Sequence, residues 1–146
     1  MTTVVLDTNA LMMPVECDVR VFEELDRLVG EADLIVPRAV VAELETLSAG
    51  GGTEGRAASV GRDLVDRCRV VETEAGYADD AVVELAEGGG DDSTPSVDGD
   101  RVDWETVDDT GVTHVVTNDR ELQGRLPRDV HVIGIRGANT LAETEP

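Results

Sequence analysis

Along the chain, short uninterrupted apolar runs alternate with stretches of helical spacing. Val4-Val5-Leu6 has no polar residue within it, as a strand buried on both faces requires. Apolar residues at 21, 22, 25, 28 and 29 then recur at helical spacing within Val19 to Val29, and Gly30 follows as a C-cap. Leu34-Ile35-Val36 reads as a second strand. Pro37 opens a helix with Val40, Val41, Leu44 and Leu47 on one side, which ends at Gly50-Gly51-Gly52. A third helix is expected over Arg56 to Cys68, a short strand at Val70-Val71, and a fourth helix over Tyr77 to Glu87 carrying Val82, Val83, Leu85 and Ala86. Val115-Val116, Asn118 to Leu126 and Val130 to Ile135 complete the series as strand, helix and strand. This alternation predicts an α/β domain with a mostly parallel sheet.

The rhythm breaks between Gly88 and Gly111, where three glycines are followed by Asp91-Asp92-Ser93-Thr94-Pro95-Ser96 and further acid around Trp104. That composition predicts an insertion or flexible loop, with Trp104 as a local packing anchor rather than a base-stacking platform. At 146 residues the chain has the size of one domain, so 1–146 is expected to be a single unit. Cys17 and Cys68 belong to no ligand or disulfide pattern and read as reduced thiols. No apolar run approaches the roughly 18 residues of a membrane span, and Met1-Thr2-Thr3 carries no basic leader. A soluble cytoplasmic protein is the expectation.

Charge changes this picture. The sequence sets 32 Asp and Glu against 12 basic residues, all of them Arg, for a net charge of -20. Such a chain repels itself in dilute buffer, but at 1 M salt the Debye length shrinks to about 3 Å and the repulsion becomes local. The balance fits the cytoplasm of a halophile. It also opposes a nucleic-acid partner, which normally leaves a basic footprint, although screening at high salt weakens that objection.

Four acidic positions stand out by their place in the expected elements. Asp7 directly follows the first strand, and Asp119 follows Val115-Val116 after Thr117-Asn118, so both occupy C-terminal strand ends, the edge at which open α/β sheets bind ligands. Each could equally be a helix N-cap. Glu43 interrupts the apolar stripe of Val40, Leu44 and Leu47, where a carboxylate is costly unless paired or metal-bound, or unless it snorkels out from the stripe's border. Asp79 shares a helical face with Val82, Val83 and Ala86, while Asp80 points aside, as a metal ligand or as a first-turn partner of the helix dipole. A cluster of these carboxylates would repel itself unless cations filled it. Hard oxygen donors suit Mg²⁺ or Mn²⁺. Two such ions about 3.5–4 Å apart can activate water and stabilise the leaving oxygen of a phosphodiester, a chemistry that needs neither His nor Lys.

These residues carry a family resemblance. Val5-Leu6-Asp7-Thr8-Asn9-Ala10-Leu11, Val41-Ala42-Glu43-Leu44, Ala78-Asp79-Asp80-Ala81-Val82 and Val116-Thr117-Asn118-Asp119-Arg120-Glu121-Leu122 resemble, in order and spacing, the motifs of PIN-domain ribonucleases. The resemblance spans nearly the whole chain and implies a three-layer α/β/α domain around a mostly parallel sheet of about five strands. It implies that Asp7, Glu43, Asp79 and Asp119 are the acidic catalytic and metal-binding residues of a two-metal ribonuclease, with Thr117 and Asn9 as supporting polar groups. RNA would be the substrate. An antitoxin or a ribosome-assembly protein would be the partner, and family habit suggests a homodimer. The stretch from Gly88 to Gly111 is longer than the connection expected there, which bears on access to the site.

Arg120, Arg125, Arg128 and Arg136 near the C-terminus, and Arg56, Arg62, Arg67 and Arg69 in the third helix, are potential phosphate contacts, with Arg120, Arg125 and Arg136 taken as the RNA-contact candidates. Surface ion pairing with the abundant acid is the competing role of each. His114 and His131 flank strand residues and read as packed or surface groups. A receiver-type phosphoacceptor or a P-loop would need a lysine, which the chain lacks, and a haloacid-dehalogenase-type phosphatase would need an Asp where Asn9 stands. The remaining alternative is a non-catalytic PIN-like module that binds RNA or a protein.

Overall fold

The computed structural model of the chain describes residues 2–88, 112–128, 130–136 and 140–144. From residue 89 onward, the expected insertion up to Gly111, with Trp104, lies outside the described residues, as does the side chain of Arg136. The elements run β1 (Thr3–Leu6), α1 (Thr8–Glu16), α2 (Val21–Val29), β2 (Asp33–Pro37), α3 (Arg38–Ser48), α4 (Gly52–Leu64) and a 3₁₀ turn (Val65–Arg67). They continue with β3 (Arg69–Val71), α5 (Ala78–Ala86), β4 (His114–Val116), α6 (Arg120–Arg125), β5 (His131–Arg136) and β6 (Thr140–Thr144).

The strands form one sheet in the order β3-β2-β1-β4-β5-β6. Every pairing is parallel except that of β5 with β6. β1 is central, paired to β2 on one side and β4 on the other, and each of its four residues is buried, which is why Val4-Val5-Leu6 is an unbroken apolar run. From β1 the chain steps outward to β2 and β3, then returns across β1 to β4 and β5. With right-handed crossovers this reversal sends helices to both faces, giving three layers, and opens a crevice between β1 and β4 at their C-terminal ends.

Two elements differ from the sequence expectation. α1 is a full helix starting immediately after Asp7 and burying Ala10, Leu11, Met12 and Met13 despite Pro14 within it. Its consecutive apolar residues form no stripe, because it packs against both α2 and α4. β6 makes a sixth strand where about five were expected. Its only large apolar residue is Leu141, which is fully buried, and it is held as much by polar ties: Arg27 donates to the Leu141 carbonyl at 3.0 Å and the Leu141 N–H donates to Glu24 Oε1 at 3.1 Å. The third helix begins earlier than expected, at Gly52, so that Arg69 belongs to β3. Among the described residues, no helix is long and apolar enough to cross a membrane.

Candidate active site

At the crevice, β1 delivers its last residue into the start of α1. Asp7 is the N-cap of that helix: its Oδ1 accepts the Ala10 N–H at 2.7 Å, and only 2% of its surface is exposed. Burial pushes its carboxyl up to about 7, with the charges of Asp79 and Asp119 adding to the rise and hydrogen bonds from Thr117 and Ala10 opposing it. β4 leads into the same crevice. Thr117 is fully buried, its N–H donates to the Ile133 carbonyl at 3.0 Å, and its hydroxyl accepts the Asp119 N–H at 3.1 Å. Asp119 caps α6, accepting the N–H groups of Glu121 at 2.9 Å and Leu122 at 3.4 Å. Both strand-end aspartates therefore fill the N-cap role at the C-terminal edge of the sheet.

Helices supply the other two carboxylates. Glu43 lies mid-way along α3 on an exposed position, where its Oε1 accepts the Thr8 hydroxyl at 2.7 Å. Asp79 sits in the first turn of α5. Partial burial raises its carboxyl above the ordinary range, and the charges of Asp119, Glu43 and Asp80 raise it further while Arg125 opposes them. Asp7, Asp79 and Asp119, brought from three separate elements, thus act electrostatically on one another, and Glu43 acts on Asp79 from a fourth. Asp80 is turned aside and receives the Arg125 guanidinium at 2.7 Å, which links α5 to α6.

The donor set fits a hard, hydrated cation. All four groups are oxygen donors, one is buried without a cationic side chain against it, and neighbouring negative charge disfavours its ionisation, a situation that a divalent ion relieves. Among the described residues no three His, Cys, Asp or Glu side chains stand close enough together to hold a metal ion. Glu43 and Asp79 line an open cleft instead of a closed cage, while Asp7 is buried at 2% exposure. Mg²⁺, which keeps several of its waters and needs only one or two direct carboxylates, is compatible with that geometry.

Of the supporting residues read from the sequence, Thr117 is fully buried beside Asp7 and Asp119, whereas Asn9 is exposed on α1. Thr8, buried beside Asp7 and bonded to Glu43, is a polar neighbour that the sequence reading did not single out; its place becomes legible only once α1 is known to start there. Two clefts open at this edge of the sheet. One, of about 550 Å³, is lined by Asn118, Arg120, Gln123, Gly134 and Ile135; the other, of about 540 Å³, by Glu43, Thr46, Tyr77, Asp79, Asp80 and Arg125.

Other expected groups lie elsewhere. Arg67 sits over the Phe22 ring at 4.3 Å and Arg69 pairs with Asp33 at 2.6 Å, so both serve the fold. His114 and His131 open β4 and β5 at the far edge of the sheet, stacked at 5.1 Å around Glu143. The His131 Nδ1 lies 2.7 Å from Glu143 Oε2 without hydrogen-bond alignment, so the contact is one of charge when the ring is protonated.

Comparison with known proteins agrees with this architecture. The PIN domain endonuclease Utp24 is similar in fold, with a TM-score of 0.67 at 20% identity over 99% of this chain and 92% of that one. VapBC2 from Rickettsia felis, solved bound to a DNA fragment from its promoter, aligns with a TM-score of 0.52 at 14% identity over 92% of this chain and 100% of the matched chain. No curated protein matches at the level of sequence. A family profile described as a PIN-like domain covers residues 4–100, more than half of the sequence, and the chain therefore belongs to the PIN-like domain family.

Proposed function

We propose that the protein is a divalent-metal-dependent ribonuclease whose catalytic and metal-binding residues are Asp7, Glu43, Asp79 and Asp119. The observation that supports this most is the convergence of four carboxylates from β1, α3, α5 and the β4–α6 turn on one crevice at the reversal of strand order. A scaffold has no use for such a cluster, since a buried carboxylate among like charges costs stability.

In this reading Asp7 is the principal ligand, with Asp119, Asp79 and Glu43 completing a set for Mg²⁺ or Mn²⁺, two ions in all. When bound, the cations lower the pKa of water and stabilise the charge that develops on the leaving oxygen of a phosphodiester. The chain's own residues hold the geometry. Thr117 orients Asp7 and Asp119 against each other, Thr8 restrains Glu43, and the N-termini of α1 and α6 offset part of the negative charge. RNA is the substrate, in the setting of either a toxin–antitoxin pair or ribosomal-RNA maturation, with an antitoxin or an assembly factor as partner. The whole chain would act as one domain, in the cytoplasm.

One pair of contacts favours a second reading, a non-catalytic RNA- or protein-binding module: Asp7 and Asp119 each complete a helix cap and so have a structural task. Incubating a labelled single-stranded RNA with the protein in Mg²⁺, in Mn²⁺ and in chelator separates the two. Metal-dependent cleavage that disappears in Asp7→Asn is expected. RNA binding without cleavage in either metal would establish the binding module instead.

A further inference from the structure

The cleft beside Glu43 and Asp79 has one wall that the metal chemistry does not use. The chain contains a single Tyr, a single Phe and a single Trp. Phe22 packs against the core, whereas Tyr77 is 76% exposed and is the only large hydrophobic side chain left exposed among the described residues. Tyr77 is the N-cap of α5, two residues before Asp79, and lines the 540 Å³ cleft together with Glu43, Asp79 and Arg125. Its backbone is held in place, since its carbonyl accepts the Ala81 N–H at 2.9 Å as the first turn of α5 closes. The Arg125 to Asp80 pair ties that turn to α6.

From this placement, and resting on the ribonuclease reading above, we propose that Tyr77 is the stacking platform for an unpaired base of the RNA strand next to the scissile phosphate. Two physical arguments select an unpaired base as the occupant. A molecule of net charge -20 is repelled by the phosphate backbone at low salt and gains little attraction from it once salt screens the charges, whereas stacking on an aromatic face is not a charge interaction and survives screening. A tyrosine side chain has only two torsions to restrict on binding and here stands on a backbone held at a helix start, and every base offers a face to it, so the contact selects single strands over duplexes and tolerates sequence. Trp104, the other aromatic with a stacking surface, lies outside the described residues.

The test is steady-state cleavage of a single-stranded RNA and of the same strand annealed to its complement by the wild type, Tyr77→Phe and Tyr77→Ala. A parallel series of strands carries one abasic position each, and melting temperature is followed throughout. Tyr77→Ala should raise KM for the single strand roughly 5- to 150-fold, the span of one base–aromatic stack, with kcat and melting temperature unchanged. Tyr77→Phe should stay within about twofold of wild type, because the ring and not the hydroxyl is used. One abasic position should cost the wild type the same factor and cost Tyr77→Ala nothing more. A wild-type KM in Tyr77→Ala, or an equal loss in Tyr77→Phe, overturns the platform while the ribonuclease reading stands. Absence of cleavage by the wild type in both Mg²⁺ and Mn²⁺ overturns the ribonuclease reading, and the platform with it.

Discussion

The side chain of Thr117 holds down the proton affinity of the buried Asp7 carboxyl beside it, and its hydroxyl accepts the N–H of Asp119 at 3.1 Å. One buried side chain therefore sets the relative position of two of the four acids and lowers the proton affinity of the most buried one.

Removing that hydroxyl while keeping the shape isolates its role. In Thr117→Val the Asp7 carboxyl loses a donor that favours its ionised form, so its proton is held more tightly. Cleavage at neutral pH is expected to fall about tenfold and the pH–rate profile to move up by about one unit, the equivalent of a charge-assisted hydrogen bond. Thr117→Ser should restore the wild-type profile. An unshifted profile in Thr117→Val would mean that the hydroxyl serves only the fold.

Asp7→Asn should abolish metal-dependent cleavage and make the metal-free protein more stable. The amide still accepts the Ala10 N–H, yet carries no charge into a site that is 2% exposed and surrounded by Asp79 and Asp119. Denaturant unfolding in chelator is expected to show a gain of roughly 1–3 kcal/mol at neutral pH. Cleavage at the wild-type rate with unchanged metal dependence would remove Asp7 from the active site.

The same carboxyl makes stability depend on pH in a defined direction. Its folded value of about 7 lies above the ordinary 3.8 of an unfolded chain, so between those limits the folded protein binds more protons. The stabilisation is fully present below about pH 4 and is lost as pH rises through about 7, a span on the order of 4 kcal/mol. In chelator, the advantage of Asp7→Asn over wild type should therefore grow across that window and level off above it. A difference that stays flat from acid to neutral pH would contradict the burial of a free carboxyl there.

Salt provides a fourth test. With a net charge of -20, lowering the medium from molar salt to about 0.1 M lengthens the Debye length from about 3 to about 10 Å and lets like charges act across the surface. The melting temperature is expected to drop, and Mg²⁺ or Mn²⁺ at low salt to recover part of it by binding the folded state alone. A melting temperature independent of salt over that range would end the halophilic interpretation.

A fifth prediction concerns the frame that holds α3 and α1 together. A Cβ added at Gly61 of α4 would stand 3.0 Å from the Leu11 carbonyl and 3.1 Å from Leu44 Cδ2. Gly61→Ala should gain about 1 kcal/mol of helix propensity but lose about 1–3 kcal/mol to forced separation of α4 from α1 and α3, for a net loss. Because α3 carries Glu43, cleavage should fall with it. Thermal unfolding that shows a gain in stability would indicate that the helices part without cost.

Much of this protein could be read from its residues taken in order. Five of the strands and the helices α2 through α6 follow from local pattern, because a strand buried on both faces must be apolar throughout and an amphipathic helix must repeat its apolar residues at helical spacing. The strand ends placed Asp7 and Asp119, whereas Glu43, read as interrupting the apolar stripe of its helix, is exposed at the border of that stripe. What local pattern could not supply was anything set by several elements at once. α1 exposes only Asn9 and Glu16 at its two ends, too few polar positions to reveal its period, while β6 is an edge strand recognised by its pairing with β5 and its ties to α2. The choice of Thr8 over Asn9 beside the site depends on where a helix begins, and the capture of Asp80 by Arg125 joins positions 45 apart in the sequence. The proton affinity of Asp7 is likewise tertiary, since it arises from burial and from acids that reach it only when β1, β4 and α5 are assembled. Chemistry of type was thus written along the chain. Distance, burial and charge coupling exist only between parts of it, and those the folded structure alone decided.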